Sequence, residues 1–364
     1  MTLMNKLFDL NKELHSANMF TFSNASLNRG GASVGGWVEL GRTTLDDVAG
    51  DSINVSSLAD KRYYMILGDL QGTGAIDANF QFNSDTGSTY ANRRSTNGGA
   101  DSTGISQTNI DLSASLASGS KVFQNAYIAN KSSNEKLVIA NNVTAYATGA
   151  GTAPIRDEVV GKWANTSNAI SSIQLTNTKA GSFDTGSEVV VLGWDESDTH
   201  TTNFWEELAS VDAAGGSATL STGTFTAKKY LWVQVYGNIT RTGGNNLSWR
   251  FNSDTGSNYS SSESEDGSVD STRVSQTQMY TGGEGGFQTN FNLFNFFIIN
   301  NSANEKCVIV HQVTGQTNGA ANAPHRYETV HKWANTSTQI TSIQGLSSGG
   351  TWDANSKIRV WGSD

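Results

Sequence analysis

Phe82-Asn83-Ser84-Asp85-Thr86-Gly87-Ser88, closed by Tyr90, returns about 170 residues later as Phe251-Asn252-Ser253-Asp254-Thr255-Gly256-Ser257, closed by Tyr259. Other stretches recur at the same spacing. Asn134-Glu135-Lys136 returns as Asn304-Glu305-Lys306, and Lys162-Trp163-Ala164-Asn165-Thr166-Ser167 returns as Lys332 through Ser337. Ile170, Ile173 and Gln174 recur as Ile340, Ile343 and Gln344, and the two prolines, Pro154 and Pro324, both follow alanine. Long matches, in order and at one offset, mark a tandem duplication. A period this large makes two whole domains rather than a solenoid.

Boundaries follow from the ends of the match. The first copy spans residues 36–195 and closes in Glu188-Val-Val-Val-Leu-Gly193. The second spans 204–364 and closes in Lys357-Ile-Arg-Val-Trp-Gly362. A short polar stretch, 196–203, reads as a linker, and residues 1–35 have no counterpart.

Within each copy the apolar period is two. Ala78, Phe80 and Phe82 alternate with Asn79 and Gln81, and Leu247, Trp249 and Phe251 alternate with Ser248 and Arg250. This pattern predicts half-buried strands with one wet face. Further strands are expected at Tyr63–Leu67 and Tyr230–Tyr236, at Lys121–Ala129 and Phe291–Ile299, and at Leu137–Ala140 and Cys307–Val310. Many short strands separated by Gly and Asn/Asp/Ser/Thr clusters predict an all-β chain of two β-sandwich domains, jelly-roll-like in form. Cys307 stands where the first copy has Leu137, so it reads as a small core residue. As the sole cysteine it offers no internal disulfide.

The appendage differs. Leu3, Leu7, Leu10 and Leu14 form an amphipathic helical stripe too short to be stable alone in water. It reads as a docking element, followed by a polar, glycine-rich arm from Ser23 to Gly36.

Composition narrows the function. A net charge of −9 opposes binding to a phosphate backbone, and no run of about twenty apolar residues exists to cross a bilayer. Asp9, Lys12 and Glu13 interrupt the apolar run a signal peptide needs. The Asn-X-Ser/Thr triplets at Asn54, Asn142, Asn165 and Asn335 reflect an Asn/Ser/Thr-rich composition rather than glycan acceptors.

Asp-Thr-Gly-Ser is the one motif with catalytic precedent. It is similar to the active-site turn of pepsin-like aspartic proteases, which are duplicated and all-β with one aspartate per lobe. Here, however, Asn-Ser precedes each aspartate where the proteases have an apolar strand. A third copy, Asp184 to Ser187, has no partner in the second repeat. The reading preferred is a tight turn in which the aspartate accepts backbone N–H bonds and the glycine takes a positive φ.

His311, His325 and His331 correspond to Asn141, Ile155 and Gly161, so the scaffold does not need them and they read as surface or packing residues. Glu263, Glu265, Asp266 and Asp270 form an acidic loop without calcium-loop spacing, expected to be solvated. No metal, cofactor or catalytic site is assigned. Trp163 and Trp333 read first as core or interface anchors. The second reading makes them sugar-stacking platforms of a glycan-binding fibre or adhesin.

Taken together, the duplicated Phe-Asn-Ser-Asp-Thr-Gly-Ser-x-Tyr turn, the Ile170-to-Gln174 stretch and the terminal Gly-Ser-Glu-Val-Val-Val-Leu-Gly resemble jelly-roll virion proteins of tailed bacteriophages. These are head decorations, head fibres or tail-fibre modules. The resemblance covers residues 36–364 and implies a non-enzymatic protein made in the host cytoplasm without a leader. It would assemble into a virion, with other capsid or tail proteins as partners, as a homo-oligomer anchored by its N-terminal arm. A double-jelly-roll major capsid protein is a third reading, which copy number distinguishes.

Overall fold

The computed structural model describes residues 27–29, 32–34, 36–113, 119–198, 202–241, 247–281, 291–315, 320–321 and 323–364. Every regular element among them is a strand. The stripe of Leu3, Leu7, Leu10 and Leu14 lies outside the described residues. Of the arm, β1 (Leu27–Arg29) and β2 (Ala32–Val34) form an antiparallel pair.

The first half contains β3 (Val38–Thr44), β4 (Ser52–Val55), β5 (Tyr63–Gln71), β6 (Asn79–Phe82), β7 (Tyr90–Thr96) and β8 (Ser102–Gln107). It continues with β9 (Ile110–Asp111), β10 (Lys121–Ala129), β11 (Lys136–Ala145), β12 (Ile155–Trp163), β13 (Ile173–Thr176) and β14 (Glu188–Trp194). The second half contains β15 (Glu206–Asp212), β16 (Thr219–Ser221), β17 (Tyr230–Gly237), β18 (Ile239–Arg241), β19 (Leu247–Phe251), β20 (Tyr259–Glu265) and β21 (Ser271–Gln276). Its remaining strands are β22 (Met279–Thr281), β23 (Asn292–Ile299), β24 (Lys306–Thr314), β25 (His325–Trp333), β26 (Ile343–Ser347), β27 (Gly350–Trp352) and β28 (Lys357–Ser363).

Each half is a sandwich of one eight-stranded and one four-stranded antiparallel sheet. The first half has the orders β3-β14-β5-β10-β11-β12-β7-β8 and β4-β13-β6-β9. The second repeats both orders strand for strand, as β15-β28-β17-β23-β24-β25-β20-β21 and β16-β26-β19-β22. A small β18–β27 pair is added in the second half alone. Even the bulges are duplicated, at Tyr90/Asn92 and Tyr259/Ser261.

Each sandwich closes on its own core. Tyr64, Ile66 and Leu70 of β5 meet Phe80 and Phe82 of β6 and Ile173 and Leu175 of β13 in the first half. Leu231, Val233, Trp249, Phe251 and Ile343 do so in the second. Over part of each large sheet the alternate residues are not wet. Met65, Leu67, Phe123, Val143, Val190 and Leu192 enter a third cluster with Tyr230, Trp232, Phe297, Ile309, Val330 and Trp361 of the other half. The two large sheets therefore stack on each other, giving four layers in the order small, large, large, small. Strands apolar on both faces, such as Tyr63–Leu70, are the consequence, because both faces are buried.

Cys307 is buried, but in this central cluster rather than in the core of its own sandwich. The expected wet face of β6 is corrected at Asn79 alone, since Gln81 is half-buried. Asn79 is buried and donates from its amide to the Thr176 carbonyl at 3.2 Å. The polar linker leads directly into Phe204 and Trp205, both buried in the central cluster beside Trp37.

Candidate functional site

The duplicated motifs converge on one place in each half. The chain leaves β6 through Asn83 and Ser84, both in the left-handed region at φ 54° and 55°, and Asp85 N–H closes the turn on Phe82 O at 2.9 Å. Asn252 and Ser253 do the same at φ 50° and 57°. Two successive positive φ values are what a tight turn matched to sheet twist requires. The expectation that glycine supplies the positive φ is thus corrected. Gly87 does not; a Cβ there would stand 3.0 Å from Asp85 Oδ1, where the Gly87 N–H now donates at 2.8 Å.

Asp85 is the hub of the turn. Its Oδ1 accepts from Gly87 N–H, and its Oδ2 accepts from Thr89 Oγ1 and from Trp163 Nε1, each at 2.8 Å. Asp254 accepts from Gly256 N–H, from Asn258 Nδ2 at 2.8 Å and from Trp333 Nε1 at 2.7 Å. Burial works against both charges, but these donors outweigh it and hold both carboxyls below their ordinary range. Tyr90 OH accepts from Phe82 N–H and donates to Asp85 O, pinning the turn from inside.

The remaining repeated residues complete the clasp. Lys136, fully buried, donates to Asn165 O at 2.7 Å with its ammonium 5.3 Å from the Trp163 ring centre, and Lys306 treats Asn335 and Trp333 alike. The Asn83 side chain accepts from Ser171 and Ser172 N–H, which ties in the Ile170–Gln174 stretch, as Asn252 does for Thr341 and Ser342. Buried Asn130 and Asn300 accept from Ile170 and Ile340 N–H.

This geometry bears on the candidate residues. Trp163 and Trp333 are each 1% exposed, so neither presents a ring face to a sugar, and the glycan-contact assignment is corrected. A pepsin-like dyad needs two carboxylates sharing one proton. Asp85 and Asp254 instead each bind a tryptophan of their own half, and both are held in the charged form.

The acidic loop is also not simply solvated. Glu263 is buried, and Asp270 forms a bidentate pair with Arg156 of the first half at 2.6 and 3.1 Å. Glu265 and Asp266 flank His325, whose Nδ1 lies 3.4 and 2.8 Å from their carboxylates. This trio, within 4.8 Å, is a cluster among the described residues with metal-ligating chemistry. Its donors already face one another, and Tyr327 OH donates to Glu265. His311 meets Asn141, its own counterpart, at 3.3 Å across the stacked sheets. They line a cavity of about 10 Å³ with Arg156, Glu158 and Glu328, room for about one water.

Sequence reading missed the outer faces of the large sheets, where both the inter-half contact and the exposed apolar side chains lie. The signal available was the second set of alternate apolar residues in β5, β14 and β17.

No family model and no curated protein matches the chain. Among solved structures, mouse laminin alpha1 chain domains LG4-5 align over 92% of both chains, at 9% identity and a TM-score of 0.20. That likeness is too slight to carry an argument.

Proposed function

We propose that this chain is a non-enzymatic structural protein of a tailed-phage virion, decorating or projecting from the head or tail and anchored through residues 1–35. The observation that carries the reading is the use made of the duplicated residues. Asp85, Trp163, Lys136 and Asn83, with their second-half counterparts, bind one another and hold turns to strands, which is scaffold chemistry. The resemblance of these motifs to virion proteins supports the same role, and the four-layer stack suits a rigid projecting body.

The test is incorporation. Mass spectrometry of purified particles should find the chain at a fixed copy number. A form lacking residues 1–35 should fold, because Trp37 and the central cluster are retained, yet fail to join particles. Full occupancy by the truncated form would remove the anchoring role. Acid-stimulated peptide cleavage abolished by Asp85→Asn would replace the whole reading with a protease.

A further inference from the structure

The two halves meet like on like at the centre of the face, where Tyr127 meets Phe297 and Asn141 meets His311, and through different parts of it to either side. In the second half, Cys307, Ile309 and Val330 are at most 2% exposed, inside the central cluster. Their counterparts in the first half, Leu137, Ile139 and Val160, are 57%, 57% and 50% exposed. Ile139 and Val160 are registered neighbours on β11 and β12, and Leu137 lies two residues along the same face. The three form one open apolar patch.

The converse holds at the other end of the face. Phe123 and Val143 of the first half are buried in the central cluster. Their counterparts Leu293 and Val313 are 38% and 40% exposed, beside Tyr236 at 46% and Phe291 at 48%. Tyr236, Leu293 and Val313 are registered across β17, β23 and β24, and the Tyr236 and Phe291 rings stack at 5.0 Å.

At three positions of these patches the residue is the reverse of what solvent would select. Buried Asp69 in the first half corresponds to exposed Tyr236 in the second, and Lys121 corresponds to Phe291. Buried Cys307 corresponds to exposed Leu137. At these three positions a large apolar group stands open where its more covered counterpart is charged or small. Contiguous exposed patches of this kind mark interaction surfaces.

The polar fittings of the interface are also repeated on the open side. Lys332, fully buried, donates to Ala147 O of the first half, while Glu305 accepts from Gly149 N–H. The equivalent Lys162–Glu135 pair lies open to solvent, 46% and 41% exposed.

We infer that the open patch at Leu137, Ile139 and Val160 of one chain docks the open patch at Tyr236, Leu293 and Val313 of a second copy, reproducing between chains the contact the two halves make within one. Each open patch is continuous with the inter-half interface and is the duplicate of a surface that the interface buries. A contact between two different patches is heterologous, so it propagates into a ring or filament. This inference does not rest on a virion role.

The experiment is sedimentation velocity with light scattering on the full chain. Wild type should form concentration-dependent assemblies. Ile139→Glu and Leu293→Glu should each run at the mass of one chain, 38.8 kDa. Mixed in equal amounts the two variants should form a dimer and nothing larger, because each supplies the patch the other lacks. Val160→Lys and Val313→Lys repeat the design, and unchanged circular dichroism and melting show that the variants are folded. Wild type that stays monomeric at every concentration overturns the inference. So does a folded variant that still assembles, or a mixture that stays monomeric. Assembly lost only on removing residues 1–35 would assign the occupant to the arm and likewise overturn it.

Discussion

His331 occupies the place of Gly161, and the difference follows from the neighbouring side chain. A Cβ at Gly161 would lie 2.7 Å from Ile110, whereas the second half carries Met279 at the Ile110 position. An unbranched methionine is more adaptable than a β-branched isoleucine. The imidazole is completely buried, and burial alone pushes its pKa down to about 3. The folded chain therefore resists protonation at this site while the unfolded chain accepts it near the ordinary value of 6.5. Stability from the neutral ring is complete above that value and is lost as pH falls below it, by roughly 2 kcal/mol between pH 6.5 and pH 5. Replacing the ring by His331→Leu should make the fall in melting temperature between pH 7 and pH 5 smaller than in wild type. An equal fall in both proteins would show that His331 does not titrate on unfolding.

At the scale of elements, the clasp joins the β6–β7 turn, the end of β12 and the approach to β13. Its pivot is an acceptor, so the damage done by removing it is set by the donors left behind. Asp85→Ala strands the Trp163 indole N–H, which is buried, and frees the Thr89 hydroxyl. An unsatisfied buried donor costs about 1–3 kcal/mol. Asp85→Ala and Asp254→Ala should each lower the urea midpoint accordingly. Asp85→Asn, which keeps an acceptor, should lower it less, and equal losses for Ala and Asn would contradict the hydrogen-bond account. The turn was legible as a turn, since Asn and Ser between an aromatic strand and Asp-Thr-Gly are turn chemistry. Which residues take positive φ was not. Gly87 is needed for close approach to a carboxylate, a requirement created by the Asp85 side-chain position and invisible in composition.

On the scale of the whole molecule, the halves are held by an apolar centre and a few buried charges. Arg156 and Asp270, with side chains 4% and 2% exposed, form the clearest such pair. Beside them Asp270 N–H donates to Asn97 O, and Gly98, at φ +64°, lies where a Cβ would stand 2.2 Å from Ser268 O. Removing one partner of a buried pair leaves a charge uncompensated and costs about 3–5 kcal/mol, whereas replacing both by apolar groups is often near neutral. Arg156→Met should therefore destabilise the protein strongly, and adding Asp270→Leu should restore much of the loss in thermal unfolding. If the single substitution leaves the melting temperature unchanged, the pair does not hold the halves together.

The sequence by itself determined the duplication, the all-β class, several of the strands around each core and the structural use of the Asp-Thr-Gly turns. Those features are local: period-two alternation and turn residues act within one strand or one loop, and they act the same way in both copies. Only the tertiary structure decided that the two large sheets stack, that Cys307 faces the other half, and that Trp163 and Trp333 are sealed inside. It also decided that Leu137, Ile139 and Val160 lie open while their duplicates are covered. The physical reason is one of symmetry. A repeated sequence offers the same face twice, but away from the centre of the contact unlike parts of that face meet and each is covered once, and no residue pattern within a single copy says which part is covered.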